Sequence, residues 1–395
     1  MIHLCKRFSS SKTNGFEFRL TIKYLLVTFA ILAVFNSACR KEPAVNLKNL
    51  QAVADRVGKQ YVPDKRLDVY EIQLKSQGDQ IVVTGEVLNR DLPAIVLDSL
   101  HQAAGEVALV DSIVVLPEAG VKDRAFGIVN ISVANLRRQP KYQAELVTQS
   151  LLGTVVRIYK EKRGFYYVQN WDRYLGWVNK SSLVTTDYVS ALKWQNAPQV
   201  MCVSNYGQVR SQSGASDDFL VDLVPGALLK RLEKGYNWYK VETPDGRVGY
   251  VDSDLVAEEE SVRKMPPARE NIIRTSKRFL GVPYLWGGTS AKGFDCSGFV
   301  QTVFKLNNLA LPRDASQIAR EGRNIQTGDH FENLLPGDLL FFGPDSSRIT
   351  HCGIYMGEQF YIHSSGSVHV NSLDKTHPLF NEYRFKTFRK AKRIL

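Results

Sequence analysis

The sequence predicts a multidomain chain, with an α+β C-terminal domain preceded by two small β-barrels and a small α+β unit. Three observations lead there. Its 395 residues exceed what one hydrophobic core usually organises. Short apolar and aromatic signatures recur at a constant offset through the middle of the chain. After a charged, proline-bearing connection the texture changes to glycine-rich loops, a cysteine and closely spaced histidines. A composition 44% hydrophobic and 23% charged excludes a mostly disordered chain, a collagen and a multi-span membrane protein.

Residues 1–39 read as an address. Lys6, Arg7, Lys12, Arg19 and Lys23 oppose only Glu17, and an apolar run, 24–35, follows. That run is short for a bilayer-spanning helix but suits a signal-peptide core. Ser37-Ala38-Cys39 resembles a bacterial lipoprotein box, with Asn36 where that box usually has Leu. The expectation is export to the periplasm, lipidation at Cys39 and association with a membrane surface. The net charge of +11 suits an anionic polymer or lipid surface, or simply a soluble basic surface. Nucleic acid is the least expected partner, because no reading motif accompanies the basic C-terminal tail. Five cysteines without close pairs make neither a disulfide framework nor a zinc knuckle.

In 44–124, alternating stretches on either side of Gly78-Asp79 predict a hairpin, 93–102 has helical spacing, and 107–116 reads as strand. Nothing in this unit suggests chemistry. It is expected to be a structural or partner-binding module.

The next two segments, 125–187 and 199–257, are copies of one another. Asn135-Leu-Arg137, Leu152-Gly-Thr154, Phe165-Tyr-Tyr-Val168, Gly176-Trp-Val178 and Leu183 return 73 residues later as Gln208-Val-Arg210, Pro225-Gly-Ala227, Trp238-Tyr-Lys-Val241, Gly249-Tyr-Val251 and Val256. Short strands and turns without a helical stretch predict a small barrel. The order of these signatures resembles the bacterial SH3 domain, a companion of cell-wall enzymes. Most of the aromatics are expected in the barrel cores, with Tyr166, Trp171 or Tyr174 the candidates for a ligand groove. The segment 258–269 reads as a linker.

The domain 270–395 carries the chemistry. Ile272, Ile273, Ser276, Phe279 and Leu280 share one helical face, closed by Gly281 and Pro283. After the loop Tyr284-Leu-Trp-Gly-Gly288, the stripe Phe299, Val300, Val303 and Phe304 predicts a buried helix that starts at or one residue before Cys296. A helix N-terminus stabilises a thiolate through unpaired N–H groups and the aligned dipole. Cys296 is therefore a candidate nucleophile, against the plain alternative of a packed core thiol.

The candidate base comes from segments that alternate around Gly357. A hairpin symmetric about that residue makes His351 and His363 direct cross-strand partners, with one imidazole taking the thiol proton and the other fixing its tautomer. Cys352, Ile354, Met356, Phe360 and Ile362 then form the opposite, core face, and Cys352 is a structural thiol. A zinc site is the rival use of such residues. His330, His369 and His377 fall outside the pattern.

Tyr284-x-Trp-Gly-Gly, Asp295-Cys-Ser-Gly-Phe, Leu311-Pro-Arg313, Pro336-Gly-Asp-Leu-x-Phe-Phe342, His351-x-Gly-Ile-Tyr and a histidine twelve positions on closely resemble the NlpC family of papain-like bacterial cell-wall cysteine peptidases. The resemblance implies a nucleophile helix against an antiparallel sheet, a Cys296–His351–His363 triad, and Tyr284 at the oxyanion site. It implies no metal or organic cofactor. The bond cleaved would be the γ-D-glutamyl–L-diamino acid bond of peptidoglycan stem peptides. Members with two SH3-like barrels suggest muropeptides with a free N-terminal L-Ala, held partly by Asp295 and Ser297, with Trp286 and Tyr166 as further substrate-binding candidates. By analogy with those members, the first barrel is expected to form one wall of the cleft and to block long glycan-linked stems, favouring released muropeptides. A catalytically silent wall-binding scaffold, or an acyltransferase using the same thioester chemistry, are the alternatives.

Overall fold

A computed structural model describes residues 46–212 and 218–395. The leader and Cys39 lie outside the described residues. The first described helix, Leu47–Tyr61, starts where the Asn46 side chain accepts from the N–H groups of Lys48 and Asn49. It packs beside the helix Leu92–Ala104 on a sheet of Tyr70–Gln77, Gln80–Val87 and Ala108–Val115, with Leu50, Ala54, Val83, Val96 and Leu100 in the shared core. The hairpin turns at Gly78, whose φ of 61° favours glycine.

Each barrel is a seven-stranded sheet, and the strand order is the same in both. The repeat is kept strand by strand: Val155–Lys162, Phe165–Gln169 and Leu175–Asn179 answer to Leu228–Lys234, Trp238–Glu242 and Val248–Asp252. The connection 258–269 is not extended throughout. Glu259–Lys264 is a short helix, supported by the pairs Glu259–Arg263 and Glu260–Lys264 and by burial of Val262.

In the last domain a six-stranded sheet runs in the order Arg323–Ile325, Phe388–Arg393, Leu339–Phe342, His351–Gly357, Phe360–Ser365, Ser367–Ser372. The helix Cys296–Lys305 packs on it through Phe299, Val300 and Val303, against Cys352, Ile354 and Ile362. The Pro336-Gly-Asp338 turn owes its aspartate to charge. Asp338 is fully buried, and its carboxylate accepts from Arg393 at 2.7 and 2.5 Å and from the Leu335 N–H at 2.9 Å. The turn is thus tied to the final strand.

The histidine hairpin departs from the symmetric register. A bulge between Tyr355 and Gly357 shifts the pairing to Ile354 with Ile362 and Tyr355 with Tyr361. That register places Gly353, not His351, opposite His363. The shift is two residues, so both histidines stay on one face as diagonal neighbours. Gly353 makes the diagonal contact possible, because a Cβ there would lie 3.0 Å from the His363 Cβ.

Candidate active site

Cys296 is the first residue of its helix and Asp295 is the cap, its Oδ1 accepting from the Gly298 N–H at 2.6 Å. Gly298 is required by packing. A Cβ there would lie 2.0 Å from the Gly288 carbonyl oxygen of the glycine-rich loop. Among the described residues the N–H groups of Cys296 and Ser297 have no hydrogen-bond partner, as expected for a helix start. They are candidate oxyanion donors beside Cys296.

Asp295 sits in a buried network. Arg313 donates to Oδ2 at 2.5 Å and Oδ1 at 3.1 Å, and also to Ser297 Oγ at 3.0 Å and Thr148 Oγ1 of the first barrel at 3.0 Å. The Gly287 N–H donates to Asp295 Oδ2 at 3.0 Å. One carboxylate therefore fixes the helix, the Tyr284–Gly288 loop and, through Arg313, the barrel.

Opposite the helix, His351 Nε2 and His363 Nδ1 lie 2.7 Å apart, and His363 Nε2 lies 2.9 Å from Asn371 Oδ1. Asn371 Nδ2 donates to the Leu379 carbonyl oxygen at 3.2 Å, which turns Oδ1 toward His363. The tautomers follow in sequence. His363 carries its proton on Nε2, so its Nδ1 accepts from His351 Nε2–H. The remaining nitrogen of His351, Nδ1, is then a bare lone pair, on a ring that lines the same cleft as Cys296. His369 also belongs to this cluster, contrary to the sequence reading. It pairs directly with His363 across the next strand, with ring centroids 4.5 Å apart.

Burial, more than any charge, holds the pKa of His351 well below its usual value, with His363, Arg384 and His369 adding to it. Burial likewise depresses His363 to about 3 against the opposing Asn371 bond. Both rings are neutral near pH 7. The Cys296 thiol is drawn below its usual pKa, chiefly by the neighbouring Cys352 thiol, while burial and the Asp295 charge oppose this. Burial pushes Cys352 itself well up. Cys352 is thus buried as expected, yet it also touches the nucleophile, which the sequence reading did not assign. Burial, followed by the charges of Cys296 and Asp295, raises the Tyr284 phenol, keeping it a neutral donor.

Cys296, His351, Tyr284, Asp295, Ser297 and Trp286 share one cleft of about 600 Å³. Its far wall is the first barrel, through Arg138, Glu145, Val147 and Tyr174. That barrel is fastened to the domain: Gln149 Oε1 accepts from the Thr289 N–H at 2.9 Å, and Trp286 Nε1 donates to Glu145 at 3.0 Å. Tyr166 is not on this cleft; its ring packs toward the barrel core, with Lys180 Nζ 5.1 Å from the centroid. Tyr174, one of the three groove candidates, lines the cleft while packing in the barrel core. The N-terminal unit also reaches the cleft, where Arg66 pairs with Asp314 at 2.6 Å, although its sequence suggested no part in the chemistry. Among the described residues no group of three or more His, Cys, Asp and Glu side chains is placed to hold a metal ion.

Two predictions arise here. Asn371→Leu removes the acceptor that selects the tautomer and should lower kcat about 10- to 100-fold with KM little changed. Asn371→Asp keeps an acceptor and should recover most of the activity, while its charge moves the acid limb of kcat/KM upward. Equal losses in both variants, with unchanged pH profiles, would make Asn371 merely structural. The second concerns stability. His363 has a depressed pKa when folded, so the unfolded chain binds more protons between pH 6.5 and about 3. The stability it contributes is complete above pH 6.5 and is lost as pH falls. Thermal melts should show a loss of roughly 1–2 kcal/mol from pH 7 to pH 5, with a flatter slope in His363→Gln. An unchanged slope in that variant would contradict the assignment.

Comparison with known proteins matches three stretches of the chain. Residues 281–389 match the NlpC/P60 family, 136–183 the bacterial dipeptidyl-peptidase Sh3 domain and 205–257 the bacterial SH3 domain. The chain is 30% identical to dipeptidyl-peptidase 6 of Lysinibacillus sphaericus over 65% of its own length and 94% of that protein. It is 31% identical to gamma-D-glutamyl-L-lysine dipeptidyl-peptidase of Bacillus cereus over 56% of its length and 67% of that protein. A solved NlpC/P60 family protein from Bacillus cereus superposes with a TM-score of 0.61 at 24% identity, covering 68% of this chain and 99% of that one. With its thiol at a helix head facing a histidine pair, and two bacterial SH3 domains before it, the chain belongs to the NlpC/P60 family of papain-like cysteine peptidases.

Proposed function

We propose that this peptidase hydrolyses the γ-D-glutamyl–L-diamino acid bond of peptidoglycan stem peptides, in muropeptides whose L-Ala has a free amino group. The observation that carries the chemistry is the hydrogen-bonded series Asn371–His363–His351 facing Cys296 in one cleft. The substrate class is supported by the relatives' activity toward γ-D-glutamyl-L-lysine, given in their names. Cys296 attacks the γ-carbonyl of D-Glu as His351 Nδ1 takes its proton. The helix-start N–H groups and Tyr284 stabilise the oxyanion, His351 returns the proton to the leaving amine, and water releases the acyl group from sulfur.

The free amino end fits the barrel side of the cleft. There Asp295, Asp314 and Glu145 face the cavity, each paired with an arginine, and an ammonium group would share the oxygens of Asp314 and Glu145 with Arg66 and Arg138. Asp295 acts largely through what it positions, since Arg313, Gly298 and Gly287 occupy its oxygens. Ser297 Oγ accepts from Arg313 at the same wall, and Trp286, 63% exposed, lies at the rim. The barrel wall favours released muropeptides over glycan-linked stems. Export and lipidation at Cys39 belong to the same reading and rest on the leader sequence.

The test is incubation with L-Ala-γ-D-Glu-L-Lys and its N-acetylated form, with product masses measured. Release of L-Ala-γ-D-Glu and Lys, at least tenfold faster from the free-amine peptide, is expected. Equal rates on the acetylated peptide would overturn the free-amine requirement. Transfer of the dipeptide to an added amine instead of water would make the enzyme an acyltransferase, and binding without turnover a scaffold.

A further inference from the structure

The charges on the cleft wall leave one group over. Four arginines line the cavity, and three are answered by carboxylates that line it too: Arg66 by Asp314 at 2.6 Å, Arg138 by Glu145 at 2.5 Å and Arg313 by Asp295 at 2.5 Å. The fourth, Arg384, forms no ion pair among the described residues. It is nonetheless held in place. The helix Glu382–Thr387 that bears it is capped by Asn381, whose Oδ1 accepts from the Arg384 N–H at 3.0 Å. Its Nη2 donates to Ser365 Oγ at 3.2 Å, and its guanidinium carbon lies 5.4 Å from the Tyr383 ring centroid and 6.0 Å from that of Phe342. One anchor and two ring contacts fix the plane and leave other donors of the fork unused. A fixed guanidinium without a counter-ion, at the wall of a partly desolvated cleft, is arranged to receive a carboxylate.

Its position says which part of the substrate it meets. Ser365 lies two residues beyond His363 on the same strand, so Arg384 flanks the cleft on the histidine side, across from the helix that Asp295 caps. His351 delivers the proton to the leaving amine, and the side nearest the imidazoles therefore faces the amino acid released. We propose that Arg384 is a carboxylate-binding subsite that takes the α-carboxylate of the diamino acid leaving the stem peptide. This rests on the reaction proposed above. The α-carboxylate of D-Glu, next to the scissile carbonyl, is the other source of the same chemistry. Docking a carboxylate also has a catalytic consequence. After burial, the Arg384 charge is among the influences that keep His351 and His363 unprotonated, and neutralising it eases formation of the imidazolium as the thiol ionises.

The experiment uses three peptides: L-Ala-γ-D-Glu-L-Lys, the same with a C-terminal carboxamide, and the same with the D-Glu α-carboxyl as carboxamide. Each is assayed with the wild type, Arg384→Gln and Arg384→Lys. Each is also titrated calorimetrically into Cys296→Ala and Cys296→Ala/Arg384→Gln, all as full chains with melting temperatures checked. The C-terminal amide should cost the wild type about 10- to 100-fold in kcat/KM. Arg384→Gln should lose as much on the free acid, mostly through KM, and nothing further on that amide, while Arg384→Lys recovers part. A penalty confined to the D-Glu amide, and likewise erased in Arg384→Gln, reassigns the subsite to that carboxylate. Undiminished kcat/KM and Kd for the free acid in the Arg384→Gln backgrounds overturn the proposal, as does persistence of both amidation penalties there. If the wild type cleaves none of the peptides, the reaction reading fails by itself. The affinities in the Cys296→Ala pair then decide the subsite, equal values overturning it.

Discussion

Cys296→Ala is expected to lower turnover of L-Ala-γ-D-Glu-L-Lys by at least about 1,000-fold while leaving the melting temperature within a few degrees of the wild type. The loss is large because the sulfur forms the bond to the acyl group, and no other group on the cleft can replace it. Cys352, which touches Cys296, is fully buried, and burial raises its pKa. The fold should tolerate the change, because Cys296 stands at the helix edge, 8% exposed, and alanine is a good first-turn residue. His351→Ala should cost a comparable factor, and the double variant hardly more than either single one, since nucleophile and base act as a unit. Additive losses, or residual cleavage near the wild-type rate in Cys296→Ala, would remove the thiol from the mechanism.

Arg313→Leu is expected to have the largest effect on stability. The guanidinium is 1% exposed and its bonds reach three pieces of structure: Asp295 at the helix head, Ser297 beside the nucleophile and Thr148 in the first barrel. Leucine would leave the Asp295 carboxylate buried with its main counter-charge gone, a loss of about 3–5 kcal/mol. Activity should fall as well, because Asp295 also holds the Gly287 N–H and the helix cap. Arg313→Lys keeps charge but loses the fork, and should fall between leucine and the wild type. The double variant Asp295→Asn/Arg313→Leu should be less unstable than Arg313→Leu, because the stranded charge is then gone. Chemical denaturation would check both. An Arg313→Leu stability within about 0.5 kcal/mol of the wild type contradicts this account.

Much of the site could be read from local spacing. The apolar stripe after Cys296 marked a helix and therefore its charged end. Strand parity put His351 and His363 on one face, and this survived a wrong register because a shift of two residues preserves the face. The bulge at Tyr355–Gly357 depends on how the hairpin meets its neighbours and leaves no mark in alternation. Asn371 and His369 were missed, although a signal existed: Ser367–Ser372 follows a tight turn at Gly366, and its alternate residues 369 and 371 share a face. Arg313 stood out in a Leu-Pro-Arg motif, but its partners lie far along the chain in the helix cap and the barrel. Arg66 and Arg384 are farther still from any local pattern: Arg66 meets Asp314 only where domains dock, and Arg384 meets Ser365 and Phe342 only through the packing of its own domain. Tyr166 failed for the opposite reason: strand periodicity cannot separate an aromatic that packs toward a barrel core from one that faces a cleft.

The most direct measurement is progressive alkylation with iodoacetamide, followed by peptide mapping and assay of the same samples. Cys296 should react before Cys202 and Cys352, which are deeply buried, and activity should fall in proportion to its labelling. Substrate should protect it, and His351→Ala should slow the labelling. A protein fully labelled at Cys296 that still turns over peptide would contradict the assignment of this sulfur as the nucleophile.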